Sequence, residues 1–238
     1  MNLSEPSRKI PKNYRNITGK IPSKKSNRMI SFESKLERDF LYLFEYENFV
    51  IKILEQPITI EYFIDNKRYT YTPDFYIETP PKYNNIIIEV KYYNELKKIF
   101  STEKQKYKAM ISYLKNKNID FKFFTDRCPY IQSDEYKFNV NFLLNYENLS
   151  IENYQIIYNL FIPQITIQQL LEQYSSDKFK QLSMIPTIWA MIRKKILIVD
   201  MYEKLTLETQ LLQLKPYDEK FYKSHLEGLV FEGYLLWV

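Results

Sequence analysis

The sequence predicts an α/β protein in which one helix, three strands, a helix and a fourth strand are followed by a second region that is mainly helical. Apolar residues recur at helical spacing over residues 31–46, and β-branched and aromatic residues dominate residues 50–91. Helical spacing returns over residues 101–117 and again from Thr166. The chain has 238 residues, of which 45% are hydrophobic and 17% aromatic, so it has the apolar area for two domains.

The first helix is expected to span residues 31–46. Phe32, Leu36 and Phe40 recur every four residues, which places them on one face of a helix. Ser31 comes before this pattern, and its hydroxyl can cap the first turn. The helix is therefore expected to begin at Ser31.

Three strands are expected next. Residues 58–64 and 69–77 are rich in β-branched and aromatic residues, and the polar residues 65–68 between them predict a hairpin. After a loop that contains two prolines, the run over residues 86–91 is apolar enough for a strand that is buried on both faces. This third strand should lie centrally in the sheet.

A helix over residues 101–117 and a short apolar strand over residues 120–125 complete the first region. Because the helix is a crossover connection, the last strand should pair parallel to the strand of residues 86–91. The resulting αβββαβ order is shared by the cores of restriction-endonuclease-like nucleases. Residues 130–160 show no clear period, and we assign them to the end of this domain without a structure.

The second region predicts a winged-helix domain. A helix is expected from Thr166, a second helix after Pro186, and a strand over residues 195–200. The alternative is an unspecialised helical domain. The predicted organisation is therefore a basic N-terminal arm over residues 1–28, a first domain over residues 29–160 and a winged-helix domain over residues 161–238.

The composition excludes several classes of site. The only cysteine, Cys128, excludes an internal disulfide framework and cysteine-clustered zinc sites, and the only histidine, His225, excludes His-rich metal sites. A nucleophilic Ser-His or Cys-His apparatus is not expected either. We assign no role to Cys128 or His225, so any chemistry must use carboxylates and lysine.

The charge is unevenly distributed. The net charge is +5, and eight cations in the first 28 residues face the single acid Glu5. These cations are Arg8, Lys9, Lys12, Arg15, Lys20, Lys24, Lys25 and Arg28. The segment is either an arm that binds nucleic acid or a solvated leader without a partner. No run of 18 apolar residues and no apolar leader is present, so we expect a soluble cytoplasmic protein without a membrane partner.

Asp74, Glu89 and Lys91 are the strongest candidates for chemistry. Glu89 and Lys91 lie two residues apart on the expected central strand, so their side chains share one face. A carboxylate in such an apolar strand needs a partner or a bound cation, and Asp74 is the natural second ligand. Two carboxylates can hold Mg²⁺ through oxygen, while Lys91 orients the attacking water or neutralises the transition state. Alternatively, Asp74 belongs to a turn and Glu89 pairs with Lys91 only structurally.

Two further groups leave alternatives open. Glu33 is a candidate third contact to a metal or water, whereas Glu37 is explained by the preference for acids near a helix N-terminus. Five lysines interleaved with Phe100 and Tyr107 either line a groove for the DNA backbone or form a solvated helix face. These lysines are Lys97, Lys98, Lys104, Lys106 and Lys108.

Four segments resemble one nuclease family: residues 31–39, 71–75, 89–91 and 123–126. They are similar to the catalytic domain of TnsA, the endonuclease subunit of heteromeric, Tn7-like transposases, which is a restriction-endonuclease-like PD-(D/E)xK nuclease. The resemblance runs from about residue 28 to residue 126, and residues 161–238 resemble the winged-helix domain of that family. It implies an endonuclease catalytic domain over residues 29–160.

The resemblance also implies residue roles. Glu33, Asp74 and Glu89 would form the acidic, metal-binding site, Lys91 would be the catalytic lysine, and Mg²⁺ or Mn²⁺ would be the cofactor. In that family the position of Glu89 can be Gln. Some members carry a further acid on the helix after the lysine, for which Glu103 is a candidate.

The implied function is hydrolytic cleavage of the 5′ ends of a transposon during cut-and-paste transposition. The implied partners are transposon-end DNA, an integrase-type (TnsB-like) transposase subunit that cuts the 3′ ends, and an AAA+ (TnsC-like) regulator that contacts the C-terminal domain. One alternative is a free-standing nuclease of the same fold, of the restriction or junction-resolving type. The other is a catalytically inert DNA-binding scaffold.

Overall fold

The computed structural model describes residues 5–7 and 17–215, apart from the side chains of Lys97, Phe100 and Ser101. The described residues divide into two compact units, and the division falls between Gln132 and Ser133. The predictions for the first arm cations, Arg8 to Arg15, and for His225 fall outside the described residues.

The N-terminal unit alternates strands and helices. In chain order its elements are β1 (Gly19–Ser23), β2 (Arg28–Phe32), α1 (Lys35–Tyr46), β3 (Lys52–Glu55), β4 (Ile60–Ile64), β5 (Lys67–Tyr71), β6 (Phe75–Glu78), β7 (Asn85–Val90), α2 (Tyr93–Thr102), α3 (Lys104–Leu114), β8 (Ile119–Phe124) and α4 (Pro129–Gln132).

A four-stranded sheet in the order β3-β6-β7-β8 forms the centre of this unit. The strand β7 lies between its antiparallel neighbour β6 and its parallel neighbour β8. Residues Ile86 to Val90 of β7 are all buried. The central position of this strand and the parallel pairing after the crossover are therefore confirmed, as is the α/β class.

The predicted hairpin exists, but it does not supply two strands of the central sheet. Strands β4 and β5 pair only with each other, around Asp65 and Asn66, whose positive φ angles of 47° and 62° suit a tight two-residue hairpin turn. The run predicted over residues 69–77 is broken at residues 72–74, where Pro73 lacks the N–H that a continuous strand needs. The edge strand β3 was not predicted.

The first helix begins later than predicted, and the last part of the predicted arm forms a hairpin. Ser34, not Ser31, is the N-cap of α1, because its Oγ accepts the N–H of Glu37 at 3.1 Å. Ser31 lies in β2, opposite Lys20 of β1. Residues 19–28 therefore belong to a hairpin and not to an arm, since they pair with the strand that precedes α1.

Helices cover both faces of the central sheet. On one face Phe40 of α1 stacks on Phe75 of β6 at 4.8 Å between ring centroids and packs edge-on against Phe124 of β8 at 5.1 Å. On the other face Tyr107 and Met110 of α3 pack with residues of β6, β7 and β8. The crossover predicted as one helix consists of α2 and α3, because Glu103 between them departs from helical geometry.

The C-terminal unit, from Ser133, is mainly helical. Its elements are α5 (Asp134–Leu143), α6 (Ile151–Leu160), α7 (Ile167–Tyr174), α8 (Lys178–Arg193), β9 (Leu197–Ile198) and β10 (Gln213–Leu214). Helix α8 packs against α5, α6 and α7, so residues 133–160 group with this unit, whereas the sequence assigned them to the first domain. Which division describes independently folding domains stays a prediction.

Two details of this unit differ from the sequence prediction. The second helix does not begin after Pro186 but contains it. Buried residues on both sides of the proline, such as Met184 and Ile188, stabilise the helix through packing although one N–H is missing. The predicted strand over residues 195–200 is reduced to β9, which pairs antiparallel with β10. The helix-helix-strand order is present, and the winged-helix assignment stays a prediction.

None of the helices within the described residues is both long enough and apolar enough to cross a membrane.

Candidate active site

Asp74, Glu89 and Lys91 come together beside the C-terminal end of β7. The Nζ of Lys91 lies 3.1 Å from Oε1 of Glu89 and 3.5 Å from Oδ2 of Asp74. The side chains of Asp74 and Lys91 are 20% and 26% exposed, whereas Glu89 is 2% exposed. The cluster is therefore a partly open site. Glu89 lies at its buried inner end.

Backbone pairing holds these residues in place. The N–H of Val90 donates to Oδ2 of Asp74 at 2.7 Å, and the N–H of Gln56 donates to the carbonyl of Asp74 at 2.7 Å. The N–H of Lys91 continues the pairing with β8 by donating to the carbonyl of Phe124 at 3.0 Å. Alternation along the strand then puts the side chains of Glu89 and Lys91 on the same face.

Two tyrosines bind Glu89, and neither was predicted as part of the site. The hydroxyl of Tyr71, at the end of β5, donates to Oε2 of Glu89 at 2.6 Å. The hydroxyl of Tyr107, on α3, donates to Oε1 at 3.4 Å. Tyr107 was considered only as part of the predicted helix and of a possible groove for the DNA backbone. Nothing in the sequence joins either tyrosine to a residue 18 positions away on the strand β7.

The electrostatics of the site follow from two acids sharing one cation. Burial and the nearby charge of Glu89 raise the pKa of Asp74 well above its ordinary value, although Lys91 acts in the opposite direction. Burial alone would lower the pKa of Lys91, but Glu89 and Asp74 outweigh it and raise that pKa above its ordinary value. Lys91 is therefore a permanent cation at neutral pH.

The acid that α1 contributes to this electrostatic group is Glu37. Its charge raises the pKa of both Asp74 and Lys91. Burial raises the pKa of Glu37, although the N–H of Glu33 donates to its Oε2 at 2.8 Å. The sequence attributed Glu37 to the helix dipole alone. The signal that was missed is its position three residues after the cap Ser34, where a side chain turns back over the helix N-terminus.

The lysines that follow Lys91 in the chain differ in their surroundings. Lys106 pairs with Glu103 and lies over the rings of Tyr71 and Tyr107, at 5.3 and 4.9 Å from their centroids. Glu103, the candidate for a further acid, is thus engaged by Lys106. Lys98, Lys104 and Lys108 are exposed. Exposure is expected both for a groove that binds the DNA backbone and for a solvated helix face, so these two alternatives stay open. The side chains of Lys97 and Phe100 lie outside the described part of the chain.

Cys128 is buried at 1% exposure, and burial raises the pKa of its thiol to about 11. The thiol is therefore protonated at neutral pH and is not a nucleophile.

The donor set fits a hard divalent cation held by few protein ligands. Among the described residues, no group of three or more His, Cys, Asp or Glu side chains is arranged to hold a metal ion. Mg²⁺ commonly takes only one or two carboxylates and completes its shell with water and phosphate oxygens. Burial and the nearby charge of Glu89 raise the pKa of Asp74, and a divalent cation would favour the ionised form against both.

Comparison with known proteins agrees with this geometry. Residues 47–126 match the family model described as TnsA-like endonuclease N terminal, and this stretch contains Asp74, Glu89 and Lys91. No curated protein matches the chain. Helix α1 and the C-terminal unit lie outside the matched residues. Residues 47–126 are therefore similar to the TnsA-like endonuclease N-terminal domain.

Proposed function

We propose that this chain is a metal-dependent DNA endonuclease that acts as the TnsA-like subunit of a Tn7-like transposase. The observation that carries the proposal is the convergence of Asp74, Glu89 and Lys91 at the end of the central strand, inside the segment that matches the nuclease family. The αβββαβ order of α1, β3, β6, β7, α2 with α3, and β8 supports a restriction-endonuclease-like core.

In this proposal Asp74 and Glu89 hold Mg²⁺ or Mn²⁺. The bound ion would supply Lewis acidity and lower the pKa of a water molecule. Lys91 keeps its proton because of the two adjacent carboxylates, so its ammonium neutralises charge on the phosphate in the transition state. The partial exposure of Asp74 and Lys91 leaves room for a phosphate to approach.

We propose Glu37 as a further acid of the site, beside the predicted Glu33. The support is electrostatic, because Glu37 acts on Asp74 and Lys91 across the gap between α1 and β7. Its hydrogen bonds from the Glu33 N–H and the Ser34 hydroxyl, at 2.8 and 3.0 Å, fix the carboxylate. Glu33 then contributes through its backbone.

The biological context is part of the same proposal. The chain cleaves the 5′ ends of the transposon, beside an integrase-type (TnsB-like) subunit and an AAA+ (TnsC-like) regulator. The C-terminal unit would be a winged-helix domain that docks the regulator, which the order α7, α8, β9 supports. Phe179 and Leu182 on α8, which are 84% and 60% exposed, are candidates for that docking.

The test is cleavage of transposon-end DNA by the purified chain with Mg²⁺ or Mn²⁺, with and without the two partner proteins. We expect 5′-end cuts that require the partners and the metal and that disappear in Lys91→Ala. Cutting of arbitrary DNA by the chain alone would keep the nuclease site and replace the transposase by a free-standing enzyme. Transposition that persists in Asp74→Ala and Lys91→Ala would instead indicate an inert scaffold.

A further inference from the structure

Glu89 is held on both of its oxygens by the protein. Oε2 accepts the Tyr71 hydroxyl at 2.6 Å. Oε1 lies 3.1 Å from Nζ of Lys91 and accepts a longer hydrogen bond, 3.4 Å, from Tyr107. The two oxygens are therefore not equivalent, because only Oε1 faces the ammonium group that also contacts Asp74.

The position of Tyr71 makes this arrangement rigid. Tyr71 is 6% exposed, and its ring packs edge-on against Tyr107 at 5.7 Å between centroids. It pairs with Ile60 in the β4–β5 hairpin, three residues before Asp74. The short hydrogen bond to Oε2 thus links the β4–β5 hairpin to Glu89 at the inner end of the site.

We propose that Tyr71 is a positioning residue that restricts Glu89 to binding the metal through one oxygen, Oε1. With Oε2 engaged by the hydroxyl, the carboxylate cannot offer both oxygens to one cation. Mg²⁺ requires a nearly octahedral shell of single oxygen contacts, whereas Ca²⁺ accepts carboxylates that bind through both oxygens. The Tyr71 hydroxyl therefore favours the smaller ion. This inference rests on the proposed metal-dependent function.

The test removes the hydroxyl and keeps the ring. In Tyr71→Phe, Glu89 is free to turn, and we expect Mg²⁺ affinity to fall about tenfold, the lower end of the effect of residues that orient metal ligands. Ca²⁺ affinity should change by less than about threefold, by the same coordination argument. Both affinities are measured by isothermal titration calorimetry on the full chain, with melting temperature as the check on folding.

Matched variants isolate the contact. Tyr76→Phe removes a buried hydroxyl from the neighbouring strand β6, where the partner is Asn85, and should leave both metal affinities unchanged. In a Glu89→Gln background, Tyr71→Phe should have no further effect, since the tyrosine acts through that carboxylate.

The outcomes separate this inference from the function on which it rests. If the unmodified chain neither binds Mg²⁺ nor cuts DNA, both the function and the positioning role are wrong. If it binds and cuts, but Tyr71→Phe retains the Mg²⁺ affinity and the preference over Ca²⁺, only the positioning role is wrong. A higher Mg²⁺ concentration for half-maximal cleavage in Tyr71→Phe, with cleavage at saturating Mg²⁺ retained, would support the role in a second way.

Discussion

The N-terminal unit buries carboxylates in two regions, the β1–β2 hairpin and the end of β7, and their surroundings differ. Beside the hairpin, Glu45 accepts the Ser23 hydroxyl at 2.8 Å and the N–H groups of Lys24 and Lys25 at 2.8 and 3.1 Å. Glu55 receives the guanidinium of Arg28 on both oxygens. Each of these acids has its own set of donors.

At the end of β7, by contrast, Asp74 and Glu89 share the single ammonium group of Lys91. Their mutual repulsion and burial raise the pKa of Asp74, so the ionised form is unfavourable in the folded protein. Glu55 has a guanidinium of its own, whereas two neighbouring acids that share one cation and otherwise have neutral donors mark a candidate site for a further cation. Substitutions in the two regions should therefore have different effects on cleavage and on stability.

The largest expected effect is on cleavage. Asp74→Asn and Lys91→Ala should each reduce the rate of transposon-end cleavage by roughly 100- to 1,000-fold, because each removes charge stabilisation at the phosphate. Rates are measured by single-turnover cleavage of labelled DNA with the partners present. Glu55→Gln serves as the control, and equal losses in all three variants would contradict the distinction between the two regions.

The helix acids should differ by about tenfold. Glu37→Gln should slow cleavage by about that factor, in the range found for residues that surround metal ligands. Glu33→Gln should have little effect, because its backbone N–H still donates to Glu37. The same cleavage assay compares the two variants, and a greater loss in Glu33→Gln would restore the assignment made from the sequence.

Substitution beside the β1–β2 hairpin should instead lower the stability of the fold. Glu55→Gln removes the charge that pairs with Arg28 and should lower the free energy of unfolding by about 1.5–3 kcal/mol, the range for hydrogen bonds to charged groups. Urea unfolding followed by circular dichroism measures the change. A variant as stable as the unmodified chain would show that this buried pair is not structural.

The smallest expected effect is a gain in stability. Without metal, Asp74→Asn should raise the free energy of unfolding at neutral pH by on the order of 1 kcal/mol, which is about 2–4 °C in melting temperature for a chain of this size. Asn can still accept the Val90 N–H, while the repulsion with Glu89 is removed.

The effect of Asp74 on stability should depend on pH. Because the folded-state pKa of Asp74 is raised, its contribution to stability is complete below the ordinary value of 3.8 and is lost as pH rises through the raised pKa. The melting temperature of the unmodified chain should therefore fall relative to Asp74→Asn over that window, and Mg²⁺ should restore it. Parallel pH profiles for the two proteins would contradict this account.

Much of the site could be read from the chain itself because it depends on neighbours in sequence. Alternation along one strand places Glu89 and Lys91 on one face, and the apolar run around them predicted a central position. Because the sequence contains one cysteine and one histidine, the predicted chemistry was restricted to carboxylates and lysine. These inferences required only local geometry and composition.

Other features required the packed structure. The edge strand β3 has four residues, which are too few to show a clear alternation of apolar and polar residues. Strands β1 and β2 lie in or next to the segment whose cations suggested an arm. Pairing with distant partners defines these strands, such as Gly19 with Phe32. The choice between Glu33 and Glu37 also depends on tertiary structure, and the role of Glu33 stays a prediction.

The sequence by itself determined the α/β class, the central strand and the shared face of Glu89 and Lys91, because residues two apart on a strand share a face whatever surrounds them. The tertiary structure alone decided that Tyr71 and Tyr107 hold Glu89, and that Asp74 lies beside Lys91. These contacts join residues 17 or 18 positions apart through strand pairing and through the packing of a hairpin and a helix on the sheet. Local sequence patterns carry no information about such distances, because only the folded core brings these side chains together.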